Sequence, residues 1–91
     1  MKEEEIKIGD RTYVVKEVLY KDVIKMTDKA TVNGVVDKAK TGKLLLQLSI
    51  DMTDEEYDTM NFMTGMKLQK LFNKINGMDE GKDFSLPPTP Q

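Results

Sequence analysis

Ile6 and Ile8 alternate with Lys7, and Tyr13 and Val15 alternate with Val14 and Lys16, with Gly9-Asp10 between the two runs. This pattern most narrows what the chain can fold into. Alternation of that kind puts apolar side chains on one face of a strand. A two-residue break with glycine first suits a type II′ turn, so residues 5–18 are predicted to form a β-hairpin. Two strands alone are marginal in water. Beyond residue 18 the apolar period shifts from two to three or four, so the ribbon's cover must come from helices. The expected class is α+β: an N-terminal β-hairpin followed by about four short helices, predominantly α.

Leu19, Val23 and Met26 share a helical face with Ile24 beside them, predicting a helix over about 19–28. The next stretch, KATVNGVVDKAKTGKLLLQLSI, supports two readings. Asn33-Gly34 between Thr31-Val32 and Val35-Val36 is a hairpin signal, yet Val32, Val35, Val36 and Ala39 also fit helical spacing. The leucines and Gln47 favour the second, a helix from about 35 to 51 that tolerates Gly42 at some cost. Leu44, Leu45, Leu46, Leu48 and Ile50 are core candidates either way. Thr53 and Glu56 then form a capping-box pattern opening a helix through Tyr57 and Met60 to about residue 62. Thr64-Gly65 is expected to restart the chain into a closing helix over 66–76. There Leu68, Leu71, Phe72 and Ile75 keep core spacing, Lys67, Lys70 and Lys74 hold another face, and Gly77 stands where a terminating glycine belongs. Residues 1–78 are thus expected to form a single domain, and 79–91, DEGKDFSLPPTPQ, a flexible proline-containing tail.

Composition removes several functional classes. At 91 residues the chain has material for one small domain, and small domains bury a smaller share of their surface. Self-association into a homo-oligomer, or cover by a partner, would shield the remainder. A net charge of −2 offers no general attraction for phosphate backbones, so nucleic acid is not an expected partner. The opening residues lack an apolar leader and no run approaches the roughly 18 residues of a membrane span, so a soluble, cytosolic protein is expected. The chain has neither cysteine nor histidine, which removes zinc, thiolate and imidazole chemistry. Ser49 and Ser85 lack a nucleophile-elbow setting, and the glycines are too dispersed to cradle phosphate. No catalytic residue, cofactor, metal or small-molecule substrate is expected.

The acidic stretch SIDMTDEEYDTM does not fit a calcium loop starting at Asp51. Glu56 falls where the loop needs glycine and Phe62 where it needs its bidentate glutamate, so the register fails. Helix capping and the helix dipole account for these carboxylates. The methionines point elsewhere. Met52, Met60, Met63 and Met66 cluster beside Tyr57 and Phe62, either as core or as an adaptable partner groove made of these six residues.

In their order, IKIGDRTYVVKEV, LYKDVIKMTDKA, LLLQLSID, MTDEEYDTM and GMKLQKLFNKINGM resemble the small tail assembly chaperones of long-tailed bacteriophages and related prophages, over roughly residues 4–78. The resemblance implies a non-enzymatic protein, in the host cytoplasm, that binds the tape measure protein during tail assembly. It would shield that client's long apolar helices and be absent from the finished tail. In many members a programmed frameshift adds a C-terminal extension, a junction that Pro87, Pro88 and Pro90 would suit. A small structural virion protein, such as a tail completion or head-tail connector component, shares the same size and composition.

Overall fold

The computed structural model describes residues 2–78, and the tail expected over 79–91 lies outside the described residues. Strands β1 (Glu3–Ile8) and β2 (Arg11–Lys16) pair antiparallel, with Ile8 opposite Arg11, so the turn is the two residues Gly9-Asp10. Gly9 has φ of 65° and Asp10 stays at negative φ, which matches a type II′ turn and excludes type I′. Ile6 and Tyr13 face each other across the ladder, and this apolar face turns inward, where Val15 is fully buried.

Four helices follow: α1 (Tyr20–Lys29), α2 (Lys38–Ile50), α3 (Asp54–Thr59) and α4 (Phe62–Ile75). Strand β2 packs on both α2 and α4, β1 on α4, and α1 on α2. One core joins them, drawing on Val15 from the ribbon, Met26 from α1, Leu45 and Leu46 from α2, and Leu68, Phe72 and Ile75 from α4. The α+β expectation holds, hairpin first and helices after.

Between α1 and α2 the hairpin reading prevails. Thr31–Val32 (β3) and Val35–Val36 (β4) pair around Asn33-Gly34, and both turn residues take positive φ, 54° and 78°. Asparagine and glycine tolerate that geometry best, so the turn chemistry overrides the helical spacing of the valines. The expected helix over 35–51 therefore starts later, at Lys38, capped by the Asp37 carboxylate accepting from the Lys40 N–H at 3.0 Å. The second correction concerns 62–66. Thr64 and Gly65 lie inside α4, because the Asn61 side chain caps the helix by accepting from the Thr64 N–H at 2.8 Å. At its far end Gly77, with φ of 76°, closes α4 in a Schellman turn: Met78 N–H donates to the Asn73 carbonyl and Gly77 N–H to that of Lys74.

Leu48 is the third correction. At 3.6 residues per turn Leu45, Leu46, Ser49 and Ile50 share the buried face of α2, and Leu48 falls outside it. Ser49, not Leu48, sits in the middle of that face. Its hydroxyl accepts from the Lys16 N–H at 3.1 Å and donates to the Lys16 carbonyl at 2.6 Å. Asn76 acts similarly one step along the chain, accepting from the Val18 N–H at 3.0 Å while its amide donates to the Phe72 carbonyl at 2.9 Å. The two side chains thus pair backbone groups at the end of β2 and just beyond it, and fasten that segment to α2 and to the end of α4.

Gly42 sits within α2, and a methyl group there would meet nothing within 4 Å. Gly42→Ala is expected to raise the unfolding free energy by about 0.5–1 kcal/mol, read as a higher urea midpoint with unchanged slope.

Candidate partner-docking surface

Within the acidic stretch Asp54, Glu56 and Asp58 are paired inside the fold. The Thr53 hydroxyl accepts from the Glu56 N–H at 3.1 Å, and the Glu56 carboxylate accepts from the Thr53 N–H at 2.9 Å, completing the capping box. The same carboxylate takes a 2.6 Å contact from Arg11, whose guanidinium lies over the Tyr13 ring at 4.6 Å. Glu56 thereby ties the first hairpin to α3. Asp54 accepts from the Gln47 amide at 2.8 Å, and Lys43 lies 3.6 Å from Asp54 and 3.9 Å from Asp58. Asp51 takes the left-handed position that ends α2, with φ of 61°. Among the described residues, no group of three acidic side chains converges as a metal site.

These contacts shift two carboxyls. Glu56 is held below its usual value, chiefly by the Thr53 N–H and then by Arg11; Asp54 is lowered chiefly by Gln47 and then by Lys43. A depressed folded pKa gives stability that is complete above the unfolded value, about 4.5 for Glu56, and is lost as pH falls through the folded one. Glu56→Gln preserves the cap but carries no charge. Its urea midpoint is expected to fall less than that of the unaltered protein between pH 7 and pH 3, compared by paired titrations.

The six residues singled out in the sequence separate by depth. Met52 follows the left-handed Asp51, donates its N–H to the Gln47 carbonyl and folds back into the core, as the residue after such a turn commonly does. Tyr57 and Met60 are half-buried against that core. Phe62, Met63 and Met66 stand outward, 77%, 60% and 53% exposed. The break between α3 and α4 creates this display. Met60 and Asn61 are extended, with ψ of 132° and 168°, so α4 begins at Phe62 with Thr64 and Leu68 turned to the core and residues 62, 63 and 66 turned away.

Two open hollows flank this outward face. One, about 370 Å³, lies between α2, α3 and α4 over Leu46, Tyr57, Met60 and Gly65, with Phe62 at its rim. The absent side chain at Gly65 leaves its floor open. The other, about 510 Å³, runs along α4 past Met63, Met66, Lys67 and Lys70 to Asn73. Met66 and Gln69 line both, forming a ridge between them. The two lysines were separable in the sequence as a face distinct from the core. Their place beside the methionines follows from i, i+4 spacing, Met63 to Lys67 and Met66 to Lys70. Tyr20 and Ile24 on α1 and Val32 and Val35 on the second hairpin are also exposed apolar side chains, which the sequence did not single out.

Fold and surface together describe a small α+β domain that exposes Phe62, Met63 and Met66 on one face of α4. No family model, curated protein or solved structure matches the chain. Among the described residues no helix is long and apolar enough to cross a membrane.

Proposed function

We propose that this protein is a non-enzymatic binding module whose docking surface is the outward face of α4. The observation that carries the reading is the exposure of Phe62, Met63 and Met66 beside two open hollows, while Met26 and Met52 are buried in the core. Large flexible apolar side chains kept at the surface suit a partner that presents varied apolar helical faces.

More particularly, the resemblance of the chain to tail assembly chaperones gives the partner as a phage tape measure protein, bound in the host cytoplasm. Shielding a long apolar helix requires contact surface and no chemistry, which the α4 face supplies. Co-expression with the tape measure protein of the same virus is expected to move that client from the pellet to the supernatant. Phe62→Ser combined with Met66→Ser should abolish the effect while shifting the thermal midpoint little, since both side chains are exposed. Purified particles should lack the protein. Its presence there at fixed stoichiometry would instead make it a structural virion component.

A further inference from the structure

Resting on the docking face proposed above, we infer that the segment it receives is a helix with acidic side chains along one flank of its apolar stripe, and that Lys67 and Lys70 recognise that flank. Shape gives the first reason. Phe62, Met66, Gln69 and Asn73 follow one another at spacings of four, three and four, and at 1.5 Å per residue the strip is roughly 16 Å long. One hollow lies beside the Phe62 end of this strip and the other beside its Asn73 end, the two meeting across Met66 and Gln69, and a second helix laid along α4 would fill both, ridge against groove.

Charge gives the second. From Phe62 to Ile75, α4 carries three lysines and no carboxylate, in a chain whose net charge is −2. Arg11 and Lys43 are paired with Glu56, Asp54 and Asp58. Lys67 and Lys70 have no carboxylate within ion-pair distance among the described residues, and both line the hollow that Met63 and Met66 make apolar. Unpaired cations along one side of an apolar groove favour an acidic flank there and fix which way round the incoming helix lies. A polyanion would meet the lysines but leave the methionine surface unused.

The test uses two labelled helical peptides of about 20 residues with the same leucine stripe, one flanked by glutamate and one by lysine. With the full chain at low salt, the glutamate peptide should bind about tenfold more tightly or better, and the gap should close as salt rises. Lys67→Glu with Lys70→Glu, checked for helix content by circular dichroism, should reverse the preference. Equal affinity for both peptides would overturn the inference and leave the docking face standing. Binding of neither peptide would remove both, and an oligonucleotide binding as tightly as the glutamate peptide would show charge alone at work and overturn the inference too.

Discussion

Replacing Ser49 with alanine is expected to lower the unfolding free energy by about 2–4 kcal/mol, because it leaves two backbone groups without a partner, each costing roughly 1–3 kcal/mol. The hydroxyl exchanges two hydrogen bonds with the Lys16 N–H and carbonyl, and Ser49 is 1% exposed, so water cannot easily replace it. Leu48→Ala removes more atoms but from a side chain 42% exposed, and should cost about 1 kcal/mol or less. Denaturant titrations of the two variants give the comparison. A larger loss at Leu48 would mean that α2 is rotated from the orientation described.

Phe72→Ala should be the most damaging single change, by about 3–5 kcal/mol, the usual range for emptying a buried aromatic site. Phe72 is fully buried in the core to which β2, α2 and α4 all contribute. A domain of this size has a total stability of roughly 4–12 kcal/mol, so the variant should lose a large share of it and melt at a markedly lower temperature. Far-ultraviolet circular dichroism and a thermal melt report it directly. Phe72→Leu keeps much of the packing and should retain a cooperative transition.

The first hairpin, the capping box and the closing helix were legible because each is written in local chemistry: alternation around Gly9-Asp10, Thr53 with Glu56, and Gly77 after Ile75. The errors arose where two local signals competed. Valines 32, 35 and 36 fit a helix, but Asn33-Gly34 accepts positive φ at both positions, and Asp37 supplies a cap that ends the ambiguity. Asn61 was the overlooked cap at the other junction, where Gly65 drew the boundary too late. Run-length hydrophobicity placed Leu48 inside, whereas the buried arc of α2 is the one that packs Leu45, Leu46 and Ile50 into the core and Ser49 against the Lys16 backbone. For the candidate surface, the cluster from Met52 to Met66 was visible, but its division into core and exposed members depends on the left-handed turn at Asp51 and the extended Met60-Asn61 link. No periodicity encodes those.

A partner held on the outward face of α4 should be felt by the methionines that stand there. Methionine methyl resonances offer the most direct test, since Met63 and Met66 are exposed there and Met26 and Met52 are buried. With the protein labelled at methionine methyls and titrated with a helical segment of the tape measure protein, Met63 and Met66 should shift or broaden while Met26 and Met52 stay in place. A bound client that leaves Met63 and Met66 unperturbed would mean that the partner is held elsewhere than on α4.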